Sequence, residues 1–168
     1  MDNTSLIISA NVIELRDALG LSQKDFALLS LISTSTLVNI ESGKKSFRIK
    51  SLDGIINFTT IKLEDLSKRN FVPSINLREI LAQKYKSIPA IQVLLSQEPS
   101  IPYCIKYKML PSGYLDIPRE TSEIKSFFLE LGWNFKANSL HTALKRMTLL
   151  IKISPHPKKS GTNLYSKI

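Results

Sequence analysis

The sequence predicts a mainly α-helical chain, with five short helices over the first third followed by a smaller α+β domain. Three observations predict it. Apolar residues recur at helical spacing between capping residues and glycines as far as Leu66, Lys and Arg gather after residue 70, and two strand-like runs close the chain around a turn-rich loop. A length of 168 residues suits one or two small domains, and 43% hydrophobic against 22% charged residues allows a packed core and excludes a disordered tail.

From Asn11 onward Val12, Leu15 and Leu19 share a helical face, and Gly20 stands where a helix C-terminus wants a residue tolerant of positive φ. Ser22 suits the N-cap of a second helix, with Asp25 at N3 favourable to the helix dipole. Ser33 suits the cap of a third, Thr34 to Glu41, with Leu37 and Ile40 inward and Gly43 closing it. Leu52, Ile55 and Ile56 give a fourth helix, and Leu63 to Leu66 opens a fifth.

Two short helices joined by a three- to four-residue turn make a helix-turn-helix pattern. Glu14-Leu-Arg-Asp-Ala-Leu-Gly-Leu-Ser-Gln23, Ile32-Ser-Thr-Ser-Thr-Leu37 and Ile40-Glu-Ser-Gly-Lys44 together resemble the DNA-binding domain of the phage Cro and C1 repressor family, the XRE family, over about residues 9–66. The resemblance implies double-stranded DNA as partner and binding as a homodimer. It places Gln23 on a DNA phosphate, and Ser33, Thr34, Ser35, Val38 and Asn39 on the face that enters the major groove. There hydroxyls bond to either base type, Asn reads adenine and Val meets a thymine methyl, so a site containing A·T pairs is expected. Ser42, Lys44 and Lys45 match the loop that meets phosphates. Arg16 and Glu41 match a pair joined, in some members, by a buried salt bridge. Two positions depart from the family: Leu31 stands where glycine is usual in the turn, and Thr59-Thr60 replaces the Leu-Gly that ends the fourth helix.

The remainder divides by pattern into a linker, 67–76, and a basic α+β domain, 77–168, after the first domain at 1–66. Leu77, Ile80, Leu81 and Tyr85 share a helical face, and Pro89 starts another helix with Ile91, Leu94 and Leu95 inward. Tyr103 to Met109 alternates, and Pro111-Ser-Gly113 makes a turn before Tyr114-Leu-Asp-Ile117, which predicts a β-hairpin. Ile124, Phe127, Phe128 and Leu131 mark a helix capped by Thr121 or Ser122. Asn138 or Ser139 caps a further one with Leu140, Ala143, Leu144 and Met147 inward. Strand-like runs at 149–154 and 162–167 flank a loop containing His156, Lys158 and Lys159. That order of elements is the order of a winged helix. It makes Lys136, Asn138, Ser139, His141, Thr142, Lys145 and Arg146 a second candidate recognition helix, and His156, Lys158 and Lys159 a candidate wing. An effector or dimerisation domain with an ordinary basic surface fits the same pattern.

Charge supports the division. The formal net charge is +9, of which residues 1–70 contribute +1 and residues 71–168 contribute +8, so a polyanion is drawn mainly by the second part. No apolar run is long enough to span a bilayer, the N-terminus lacks a signal-peptide pattern and Cys104 is the single cysteine, which together predict a cytosolic, reduced protein. With two scattered histidines, no CxxC or HExxH and no glycine-rich phosphate loop, neither a metal, a cofactor nor an enzyme is expected. The function expected is that of a sequence-specific DNA-binding transcription regulator, a repressor, working by occlusion or recruitment. The alternative is an antitoxin or phage-type interaction protein whose helix-turn-helix autoregulates and whose basic C-terminal domain captures an acidic protein.

Overall fold

The computed structural model describes residues 3–44 and 46–168, so Lys45 lies outside the described residues. The chain divides into two compact units, Met1–Ser100 and Ile101–Ile168. The first holds α1 (Asn3–Leu19), α2 (Gln23–Leu29), α3 (Thr34–Ser42), α4 (Asp53–Thr59), α5 (Leu63–Leu66), α6 (Leu77–Lys84) and α7 (Pro89–Ser96). Val12, Leu15, Leu19, Phe26, Leu37, Ile40, Leu52, Ile55 and Leu66 are wholly removed from solvent and form the core shared by α1 to α5. The caps follow the sequence. Ser22 accepts the Asp25 amide at the start of α2, Ser33 accepts the Thr36 amide at the start of α3, and Gly43 takes φ +59° at its end.

Both departures from glycine are absorbed without remodelling. The α2–α3 turn is a Schellman motif in which the Ile32 amide donates to Ala27 O at 3.0 Å and the Leu31 amide to Leu28 O at 3.1 Å. Leu31 therefore sits at φ +54°, where a side chain costs about 1 kcal/mol or more. Thr60 takes φ +60° to end α4, its amide donating to Ile56 O at 2.7 Å, and α5 keeps its expected place. Gly54, at the start of α4, passes so close to the end of α2 that a Cβ there would stand 1.9 Å from Ser30 O.

The division of the chain falls later than the expected change at 66–77. Helices α6 and α7 belong to the first unit because Arg78, 7% exposed, donates to Leu19 O at the end of α1 and to Gln97 O, and because Tyr85 stacks on Phe58 and donates to Phe58 O. A cation at the carbonyl end of α1 is favoured by the helix dipole, and this long-range docking leaves no local periodicity to read.

The second unit is α+β. Helix α8 starts at Ile101–Tyr103 and continues as a π-helical stretch, Cys104–Met109, and is followed by β1 (Arg119–Glu120), α9 (Thr121–Glu130), α10 (Ala137–Arg146), β2 (Ile151–Pro155) and β3 (Asn163–Lys167). The strands are antiparallel in the order β1-β3-β2, with Tyr165 of β3 opposite both Arg119 and Ile153. The hairpin expected over 103–117 is corrected. Residues 103–109 are helical, and 114–116 form a single 3₁₀ turn. The alternation that suggested a strand came from Lys106 and Lys108, which lie over the rings of Tyr107 and Tyr103 at 5.4 and 5.6 Å instead of alternating across a sheet. Tyr103 and Tyr107 stack one turn apart, and Tyr103, Cys104, Ile105, Tyr107 and Met109 are all buried.

Candidate nucleic-acid interface

Helix α3 turns Leu37, Ile40 and Glu41 into the first unit and leaves Thr34, Ser35, Val38, Asn39 and Ser42 exposed, with Lys44 exposed in the loop after it. Behind this helix, beside the fully buried Leu37 and Ile40, lies a charged cluster. Arg16 of α1 donates through Nε to Glu41 Oε1 at 2.6 Å and through Nη2 to Oε2 at 3.3 Å, and through Nη1 to Leu21 O at 3.1 Å. Gln23 Nε2 donates to the same Glu41 carboxylate at 2.7 Å. The Glu41 side chain is 4% exposed and that of Arg16 17%, so the ion pair is largely removed from water and three elements converge on it. Gln23, expected on a phosphate, thus has one amide hydrogen committed to Glu41.

The exposed row is not uniform in chemistry. Ser33 Oγ accepts the Thr36 amide and lies 2.8 Å from both Ser35 Oγ and Thr36 Oγ1, so Ser33 belongs first to the cap. Ser42 Oγ donates to Asn39 O and accepts the Lys44 amide, which orders the turn into the loop. Thr34, Val38 and Asn39 keep their side-chain groups uncommitted among the described residues, a hydroxyl, a branched apolar group and a carboxamide side by side on one helix face. Such a row presents the donors, acceptors and methyls that a major-groove edge discriminates.

Over residues 12–66 the chain matches a protein-family model described as helix-turn-helix. This segment is a Cro/C1-type helix-turn-helix domain. That family is one of DNA-binding transcription regulators, and the match runs from the middle of α1 to the end of α5. No curated protein and no solved structure matches the chain.

In the second unit, α10 exposes Asn138, Ser139, Thr142, Lys145 and Arg146, with Lys136 exposed at its cap, while Leu140 and Leu144 are fully buried. This outer face also lines a groove of about 500 Å³ with Ile101 and Pro102. His141 is half-buried, and its Nδ1 lies 2.5 Å from the hydroxyl of the fully buried Tyr165, which ties α10 to the middle strand.

The loop between β2 and β3 is likewise more structured than its lysines suggest. His156 Nδ1 accepts the amides of both Lys158 and Lys159 at 3.0 Å, and its Nε2 lies 3.4 Å from Glu120 Oε1. Lys159 Nζ is 2.5 Å from the same Glu120 oxygen, so of the two lysines only Lys158 has no ion pair among the described residues. Glu120 also opens α9 as one half of a capping box. The Glu123 carboxylate accepts the Glu120 amide at 2.8 Å, and that hydrogen bond holds its pKa below the ordinary carboxylate value, with Arg119 adding to the effect. Sequence pattern put this cap at Thr121 or Ser122, because Glu is an uncommon N-cap residue.

No helix of the described residues is long and apolar enough to cross a membrane, and no group of three His, Cys, Asp or Glu side chains gathers among them as a metal site would require. The second unit carries eleven Lys/Arg against four Asp/Glu, a net +7 in 68 residues, which concentrates the charge asymmetry on Ile101–Ile168.

Proposed function

We propose that this chain is a sequence-specific DNA-binding repressor that reads the major groove with Thr34, Ser35, Val38 and Asn39 of α3, and that it binds as a homodimer. The observation that carries the reading is the exposed, uncommitted row on a helix whose back is fixed by the Arg16–Glu41–Gln23 cluster. A reader held rigidly loses less entropy when it docks, and Asn39 is placed to bond adenine through two atoms at once. Ser42, Lys44, Lys45 and the remaining amide hydrogen of Gln23 serve the phosphates, and repression follows from occlusion of the promoter.

The second unit acts in this proposal as a winged helix. Helix, strand, two helices, strand, loop and strand, with sheet order β1-β3-β2 and a basic α10, support that reading. Lys136, Asn138, Ser139, Thr142, Lys145 and Arg146 face the groove, and Lys158 follows the backbone, while His156 and Lys159 chiefly shape the loop. The net +7 supplies affinity that a nearly neutral helix-turn-helix lacks.

Selection of bound duplexes from a random pool by the full chain tests the proposal. The expected product is a site containing two half-sites about one helical turn apart. With that duplex, Lys158→Ala lowers the slope of log K against log salt by about 1. Failure to enrich any sequence refutes specific reading, and an unchanged slope refutes the wing contact.

A further inference from the structure

We propose that the groove between α8 and α10 binds a small carboxylate with an apolar tail, and that the bound molecule excludes DNA from α10. The first half stands on the groove alone; the second rests on the winged-helix reading above, which gives the same side chains to DNA. Helix α8 packs against α10, and the groove between them measures about 500 Å³, within the range of sites that hold small molecules. It runs along α10 and its C-cap from Asn138 to Met147, about 13 Å at the rise of an α-helix.

Two rows of α10 line it, each repeating every fourth residue, so that its members stand one above another. Asn138, Thr142 and Arg146 make a polar row, exposed throughout. Ser139, Ala143 and Met147 make the second, and its two apolar members are half-buried and share the groove with Ile101 and Pro102 of α8. Ala143 is the short step in that row, and its single methyl leaves a depression that a larger side chain would fill. The wall that α8 supplies has an unusual backbone. Just beyond Pro102 the helix widens into the π-helical stretch Cys104–Met109, whose end is marked by the Leu110 amide donating back to Ile105 O at 2.9 Å. Turns of that kind are rare and gather at functional sites.

Charge and polarity select the occupant. Arg146 is the single charged residue of the lining, and its guanidinium has no ion pair among the described residues. No acid lines the groove, and Glu120 and Glu123 of this unit are committed to the α9 cap and the strand loop. A planar guanidinium takes a carboxylate through two parallel hydrogen bonds. At the other end the side chains of Asn138 and Ser139 carry no hydrogen bond among the described residues, so neutral donors also stand free. Ile101, Pro102, Ala143 and Met147 offer nothing to a phosphodiester, whereas an apolar tail laid along them removes apolar surface from water on both sides. A duplex matches the cation and leaves the apolar floor uncovered. An uncharged apolar molecule covers the floor and leaves Arg146 unmatched. A carboxylate with an apolar tail does both, and by occupying Asn138, Ser139, Thr142 and Arg146 it competes with DNA for one face.

Isothermal titration calorimetry of the full chain without DNA, with decanoate, decylammonium and acetate as probes, tests the site, and amide NMR shifts locate the probe. Decanoate is expected to bind one to one at submillimolar concentration and to move the Ala143 and Met147 amides, with decylammonium and acetate at least about tenfold weaker. Arg146→Gln, an exposed change, is expected to weaken decanoate about tenfold or more, and Ala143→Phe, which fills the depression, to do the same. In fluorescence anisotropy, decanoate at about ten times its dissociation constant is expected to raise the Kd of wild type for a selected duplex about tenfold and to leave that of Ala143→Phe unchanged. No decanoate binding, equal binding of decylammonium, or a decanoate affinity that Arg146→Gln leaves intact overturns the site. So does a wild type whose Ala143 and Met147 amides move only with an acidic, leucine-containing peptide, which makes the occupant a protein segment. Decanoate bound in the groove with duplex affinity unchanged overturns the exclusion and α10 as a DNA face while the site stands, so the two failures are distinguishable.

Discussion

The ion pair behind α3 predicts a large and non-additive loss of stability. In Arg16→Met the Glu41 carboxylate, 4% exposed, loses two of its three donors and keeps only Gln23 at 2.7 Å. Breaking a fully buried pair costs about 3–5 kcal/mol, because the surviving charge is stranded. Here the Gln23 bond remains, which places Arg16→Met near the lower end, at about 3 kcal/mol. Glu41→Leu strands a guanidinium that is 17% exposed and still donates to Leu21 O and pairs with Asp17 at 3.1 Å, so it should cost less, about 2 kcal/mol. The double variant strands no charge and should cost clearly less than the two added together, by about 1–3 kcal/mol. Urea unfolding of the four proteins, with the slope compared to exclude a change of mechanism, measures the cycle. Single variants that each cost under about 0.5 kcal/mol, or costs that simply add, would show that the pair behaves as a surface contact and that α3 is held by apolar packing alone.

Three further outcomes are expected. Gly54→Ala should lower stability by about 2 kcal/mol or more in chemical unfolding, since its Cβ would stand 1.9 Å from backbone and one helix must move. Thr60→Gly should raise stability by about 1 kcal/mol, because Thr60 is an exposed β-branched residue held at φ +60°. Glu123→Ala removes half of the α9 capping box and should cost about 1 kcal/mol at neutral pH. The folded-state pKa of Glu123 lies below its ordinary 4.5, so its contribution is present above that value and is lost as pH falls through the lowered one. Unfolding of wild type and Glu123→Ala should therefore converge in acid and differ at neutral pH.

Much of the first unit was legible because its signals are local. Ser22, Ser33 and Gly43 announce helix ends by chemistry that acts within one turn, and Leu37 and Ile40 fix which way α3 faces. The Arg16–Glu41 pair was legible only through the family resemblance, since two charges 25 residues apart carry no spacing signal. Tertiary effects hid the rest. Stacked tyrosines with lysines over their rings imitate a strand, Arg78 docks α6 through two distant carbonyls, and Gly54 is dictated by a neighbour 24 residues away. The contacts of the histidines were not legible either. His141 reaches Tyr165 across the fold and His156 accepts amides of its own loop, and neither role follows from residue type.

In the proposed function the outer face of α3 reads sequence while the loop after it meets phosphates. Fluorescence anisotropy of a selected duplex and of single-base variants, with wild type, Asn39→Ala and Lys44→Ala, tests it most directly. Asn39→Ala is expected to weaken binding by about 1–3 kcal/mol and to abolish discrimination at one A·T position, whereas Lys44→Ala should weaken all duplexes alike and reduce the salt slope by about 1. If Asn39→Ala leaves every base preference intact, α3 is not the reader.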